Sequence, residues 1–215
     1  MFRIGFMTDM FDLNVLGISV ILVIVAYLYV TLPFRVTSKC KPSAISTMIV
    51  LGSGGHTCEM LKLVSALDKE KYTPRTYIVA TSDSFSQQKA VEFDPKAHVV
   101  TVPRSREVGQ SWLTTVITTI YASLASYNVM LTHKPRLVLC NGPGTCVPVC
   151  AIAWLNSRVL RISSEVKIVF VESVCRVTTM SLSGRILMWF ADAVMVQWPE
   201  LAEKYRGSRY ISRFV

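Results

Sequence analysis

Thr47-Met48-Ile49-Val50-Leu51-Gly52-Ser53-Gly54-Gly55-His56-Thr57-Cys58-Glu59-Met60-Leu61 is the stretch that decides the fold. An unbroken apolar run ends in a glycine cluster. Beyond it, Leu61, Val64 and Leu67 recur at helical spacing. A strand without polar alternation suits a parallel sheet covered on both faces, where neither side of the strand meets water. Glycine lets the backbone turn tightly and approach a ligand closely. A helix opening at about Thr57 aims unsatisfied N–H groups and the positive end of its dipole at this loop. That is a site for an anion, most naturally a phosphate or diphosphate.

The same alternation continues outward. Strands are predicted at Thr47–Leu51, Thr76–Thr81, His98–Val102, Arg136–Cys140, Lys167–Val171 and Ala193–Gln197. Helices are predicted at about Thr57–Leu67, Ser84–Phe93, Trp112–Leu131, Thr145–Leu160 and Ser181–Phe190. Alternating strands and helices predict an α/β fold, a doubly wound parallel sheet with right-handed crossovers. Ligands of such sheets bind beyond the carboxyl ends of the strands, so the loops there carry the chemistry.

The glycine loop does not match the common nucleotide fingerprints. The dinucleotide motif needs a third glycine where Thr57 stands. Asp83, a candidate ribose acid, lies about 30 residues past the loop, against roughly 20 in the usual arrangement. No Gly-Lys-Ser/Thr follows, which excludes the triphosphate loop. His56 can donate to a phosphate or serve as general base on a sugar hydroxyl, with ligand contact the first reading.

Other strand-end loops add candidates. Asn141, Gly142, Gly144 and Thr145 form a second glycine loop, with Thr145 placed to cap the next helix and Pro148 in its first turn. Arg104 and Arg106 follow the third strand and suit a phosphate. Glu172 follows the fifth strand, where it can orient a substrate hydroxyl, pair with Arg176 or serve a structural role. The apolar residues Tyr210, Ile211, Phe214 and Val215 near the chain end suggest packing against another chain.

No charge occurs from Leu13 to Phe34, long enough to cross a bilayer as a helix. Arg35, Lys39 and Lys41 follow it and only Arg3 precedes it, so the positive-inside tendency puts the C-terminal side in the cytosol. The expected division is a terminal segment and transmembrane anchor over 1–34, a tether over 35–45 and a cytosolic domain over 46–215. The later uncharged stretch Val108–Thr132 is dotted with Thr and Ser and reads as an amphipathic or partly buried helix that can touch the bilayer surface.

Lys+Arg number 23 against 14 Asp+Glu, without basic runs or a nucleic-acid signature, so the charge fits a membrane surface and phosphate groups rather than nucleic acid. The six cysteines contain no Cys-x-x-Cys pair and read as reduced, mostly buried thiols. With three histidines at no ligand spacing, no metal site is expected, and no cofactor.

The segments LGSGGHTCEML, VPRSREVGQSW, LVLCNGPGTCVPVC, VFVESVCRV, LSGRIL and VQWPEL resemble, in order, the Alg-type membrane-anchoring subunits of the UDP-N-acetylglucosamine transferase of dolichol-linked oligosaccharide synthesis. The likeness runs from about Thr47 to Val215. It implies the acceptor-side, Rossmann-like half of a GT-B transferase that adds a second N-acetylglucosamine to GlcNAc-diphosphodolichol at the endoplasmic reticulum membrane. It implies a soluble partner subunit carrying most of the UDP-sugar site and bound through the C-terminal tail. By analogy with a bacterial transferase acting on a lipid diphosphate, the loop Gly52, Ser53, Gly54, Gly55, His56 and Thr57 would face the acceptor diphosphate. A membrane-anchored oxidoreductase and a pure scaffold without a ligand of its own are the rival readings.

Overall fold

The structure, a computed structural model, describes residues 44–106, 109–142, 144–162 and 165–213. The expected anchor and nearly all of the tether lie outside the described residues, as do Phe214 and Val215.

Seven strands form one parallel sheet: β1 Thr47–Val50, β2 Arg75–Ala80, β3 His98–Val102, β4 Leu137–Asn141, β5 Lys167–Val171, β6 Ala193–Val196 and β7 Ser208–Tyr210. Their order is β3-β2-β1-β4-β5-β6-β7. The helices are α1 Gly55–Ser65, α2 Ser84–Phe93, α3 Trp112–His133, α4 Cys146–Trp154, α5 Leu182–Leu187 and α6 Pro199–Lys204. A π-helical turn, Leu155–Val159, extends α4. This is the doubly wound sheet that the strand–helix alternation predicts.

The strands are apolar on both sides because helices cover both faces. Met48 and Val50 of β1 point into one core, with Met130, Val149, Leu187 and Leu201 of α3, α4, α5 and α6. Ile49 and Leu51 point into the other, with Met60 and Val64 of α1 and Ala90 of α2. The period-two alternation of a strand thus divides one apolar run between two cores.

The seventh strand and α6 are not foreseen by the sequence pattern. β7 is three residues long and carries no apolar run. The sequence reading packs Tyr210 and Ile211 against another chain, whereas here both follow the sheet of their own chain. Tyr210 ends β7 and is half exposed. Ile211 donates its N–H to Val196 O and packs on the α1–α2 side core.

Among the described residues no helix is long and apolar enough to cross a membrane. The uncharged stretch forms α3, which packs Ala122, Ser126 and Met130 inward. Of the described cysteines, Cys140, Cys146 and Cys150 are buried, whereas Cys58 and Cys175 are exposed. Burial, then its neighbouring cysteines, pushes the Cys140 thiol well up.

Strand order reverses between β1 and β4. From β1 the chain winds one way to β2 and β3, then returns through α3 to β4 and winds the other way. Helices on opposite faces leave a crevice beyond the carboxyl ends at this switch point. The two glycine loops follow β1 and β4, so both fall there.

Candidate functional site

Leu51, Gly52, Ser53, Ala80, Asp83, Arg104, Arg106, Gly144 and Thr145 line a hollow of about 60 Å³ beyond the carboxyl ends of β1 to β4. Four separate loops thus converge, joining the first glycine loop, the two arginines and the second glycine loop. α1 and α4 both open here without a side-chain cap, so their terminal N–H groups keep the electropositive character of uncapped helix starts. Thr145 makes no capping bond, contrary to the sequence expectation, because its backbone is already helical at φ −59°, ψ −25°. Two helix starts and two guanidinium groups around one hollow select an anion.

The arginine loop is held from behind. Ser105 is buried, and its carbonyl accepts bonds from the Thr118 and Thr119 hydroxyls of α3 at 2.6 and 3.3 Å. A side chain at Gly144 would meet Ser105 Oγ at 3.2 Å, so the two loops touch through small groups.

His56 sits one turn away, at the start of α1. Its Nδ1 is 2.9 Å from Asn141 Oδ1. Asn141 is fully buried and donates Nδ2–H to Glu59 Oε2 at 2.8 Å, while Ser173 Oγ–H donates to Glu59 Oε1 at 2.8 Å. The buried Glu59 carboxylate can only accept, so it turns the Asn141 amide nitrogen inward and its oxygen toward His56. The oxygen needs a donor, which assigns the His56 proton to Nδ1. When the ring is neutral, Nε2 then keeps its lone pair. The imidazole is 36% exposed. Gly142, at φ +72°, lies against the ring, and a Cβ there would be 2.5 Å from Cε1 and Nδ1.

The residues singled out from the sequence divide accordingly. Gly52, Ser53, Arg104, Arg106, Gly144 and Thr145 share the hollow. Gly54 and Gly55 are exposed at the α1 start, and His56, Asn141 and Gly142 form the adjoining imidazole seat. Thr57 is not a ligand contact: it is fully buried, and its hydroxyl bonds Gly52 O and lies 2.6 Å from Ser86 Oγ. Asp83 accepts the Ser86 N–H at 3.0 Å and its hydroxyl at 2.7 Å, capping α2 rather than offering itself to a ribose.

Glu172 does not line the hollow. It is fully buried and accepts from Ser181 N at 2.8 Å, Ser181 Oγ at 2.9 Å and Ser173 N at 3.1 Å. These bonds tie the end of β5 to the start of α5, a structural role, and Arg176 is exposed.

Glu59 and Ser173 are residues that sequence reasoning does not assign. Glu59 had a readable signal, since a position three after His56 shares its helix face. Ser173 had none, because 114 residues separate it from Glu59.

A larger hollow of about 470 Å³ lies near the amino ends of β2 and β3, lined in part by Lys69, Arg75, Asp94, Lys96 and His98. Arg75 there is committed to the Tyr72 and Leu67 carbonyls at 3.0 and 3.3 Å, and this is the pole of the sheet away from the loops that carry ligand chemistry.

Residues 47–214 match the family model described as "Oligosaccharide biosynthesis protein Alg14 like". The mouse UDP-N-acetylglucosamine transferase subunit ALG14 is 46% identical over 196 residues, covering 85% of this chain and 88% of the mouse protein. The Schizosaccharomyces pombe counterpart is 44% identical, covering 81% and 86%. Among solved structures, Acinetobacter baumannii MurG superposes with a TM-score of 0.57 at 15% identity over 78% of this chain and 45% of its own. The Neisseria meningitidis UDP-GlcNAc 2-epimerase bound to UDP-GlcNAc gives 0.54 at 13%, with 78% and 45% coverage. The two structural likenesses establish the fold alone, and this chain spans under half of each. By its motif order, its family-model match and its identity to these relatives across most of their length, the chain belongs to the Alg14 family.

Proposed function

We propose that this chain is the acceptor-side half of a split GT-B N-acetylglucosaminyltransferase. It is anchored by residues 1–34 in the endoplasmic reticulum membrane with its domain in the cytosol, and a soluble subunit brings UDP-N-acetylglucosamine. The acceptor is a lipid-linked diphospho-N-acetylglucosamine. The observation that carries the reading is the convergence of two uncapped helix starts with Arg104 and Arg106 on one hollow at the switch point. At about 60 Å³ that hollow forms one wall of a site, since pockets for whole ligands hold roughly 300–1,000 Å³. A facing subunit supplies the other wall.

In this reading the diphosphate lies over the hollow and the acceptor sugar reaches the imidazole seat. Nε2 of His56 takes the proton of the attacking hydroxyl as its oxygen bonds to C1 of the donor sugar. The C1–O bond to UDP breaks, and UDP leaves with the electron pair. Glu59 and Asn141 act through His56 by fixing its tautomer.

The test is transfer from UDP-N-acetylglucosamine to a short-chain polyprenyl diphospho-N-acetylglucosamine, with the chain alone and with its soluble partner. Activity only in the mixture, lost in His56→Ala with partner binding retained, is expected. Activity from this chain alone refutes the split-enzyme reading. A fully active His56→Ala complex would leave the chain a scaffold.

A further inference from the structure

The outer side of α3 carries five exposed large apolar side chains, more than any other element among the described residues. Val116, Ile117, Ile120, Tyr121 and Leu124 are 56–69% exposed. Their spacing draws one stripe along the helix. The layer that contains α3 also exposes Trp154 of α4, Leu182 and Ile186 of α5 and, just past α5, Trp189, which is 90% exposed. The opposite layer, α1 and α2, exposes only Phe85 and Val91 among large apolar residues. The asymmetry marks one face of the domain.

Three features identify what covers it. Residues 109–132 contain no Asp, Glu, Lys or Arg, while Arg104 and Arg106 precede the helix and Lys134 and Arg136 follow it. An apolar stripe with Tyr and Trp beside it and cations at its ends is the composition of a surface lying in a bilayer interface. Acyl chains cover the aliphatic groups, the aromatic rings sit among headgroups, and anionic phosphates meet the cations. Second, the described chain starts at Ala44, ten residues past the uncharged run Leu13–Phe34. Ten residues reach at most about 36 Å, so an anchored domain stays beside the membrane. Third, the stripe lies in the half of α3 whose Thr118 and Thr119 hold the arginine loop that lines the hollow.

We infer that the outer face of α3 docks on an anionic bilayer surface and holds the hollow at the membrane. The docking itself stands on the stripe; its purpose rests on the proposed lipid-linked acceptor.

The test uses the full chain with its soluble partner in phosphatidylcholine–phosphatidylserine vesicles, carrying a photoreactive benzoylphenylalanine in place of Ile120 or, as control, Phe85. Lipid adducts at 120 and few at 85 are expected. Adducts of position 120 to the partner or a second copy, or lipid adducts no more frequent than at 85, would overturn the inference. A second arm compares the variant carrying Ile117→Ser and Leu124→Ser with the unaltered complex. Loss on the order of tenfold is expected toward a long-chain acceptor in vesicles, with little change toward a short-chain acceptor in solution. Equal loss on both acceptors, or none on either, refutes the docking. Lipid adducts at 120 without transfer by the unaltered complex would refute the transferase reading and leave the docking standing.

Discussion

Nδ1 of His56 and Oδ1 of Asn141 lie 2.9 Å apart although 85 residues separate them, because the loops after β1 and β4 meet at the switch point. The bond is the outer link of a chain running inward to Glu59 and Ser173.

Breaking that chain should cost rate before it costs the fold. Asn141→Ala frees the imidazole to turn and leaves Glu59 without one donor. Expected are a fall in kcat on the order of 10²-fold with a modest change in KM, and a stability loss of about 1–3 kcal/mol. Steady-state kinetics beside thermal unfolding checks this. A KM effect alone would assign Asn141 to binding.

Gly142→Ala tests the seat sterically. Its Cβ would stand 2.5 Å from the His56 ring, so the ring must leave its hydrogen bond. Gly207→Ala is the control: it too has positive φ, at +102°, but its nearest contact is Met188 Cε at 3.8 Å. Both should lose roughly 1–2 kcal/mol to backbone strain, measured by denaturant unfolding. Only Gly142→Ala should lose most of the transfer activity.

Glu172 should behave as a structural carboxylate. Glu172→Ala strands three donors in the interior, and a loss of about 3 kcal/mol or more is expected. Gly184→Ala should act on the same spot, since its Cβ would fall 2.6 Å from Glu172 Oε2. Chemical denaturation measures both. An unfolding midpoint of Glu172→Ala equal to that of the unaltered chain would overturn the assignment.

Stability should fall with acid partly through His133. Burial, then the charge of His98, lowers its pKa in the fold. A base with a depressed folded pKa is protonated more readily when unfolded. Its contribution to stability is full above the unfolded value near 6.5 and declines as pH falls through it. The melting temperature should drop between about pH 7 and pH 5.5, and less steeply in His133→Gln. Equal slopes in the two proteins would show that other groups carry the acid response.

The sheet class, six of the seven strands and the glycine turn after β1 were legible in the sequence because each rests on local chemistry. β1 advertises burial on both faces by its unbroken apolar run, and Gly52, Gly54 and Gly55 mark the turn at its end. β7 was not legible: Ser208–Tyr210 has no apolar run, and it is a strand because β6 offers it an unpaired edge. The partners of Thr57 and Glu172 were illegible for a related cause. Position after a strand was visible, but the direction of the side chain was not. Thr57 turns to Ser86 on the next helix and Glu172 to Ser181 at the start of α5.

By itself the sequence determined the doubly wound fold, the two glycine loops, the basic pair after β3 and the motif order that marks the family, since these depend on residue type and short spacing. Only the tertiary structure decided that these loops share one hollow, that Asn141 and Glu59 set the tautomer of His56, and that one face of α3 is left uncovered. Those facts depend on contacts between residues far apart in the chain, which exist only once strand order brings β1 and β4 side by side.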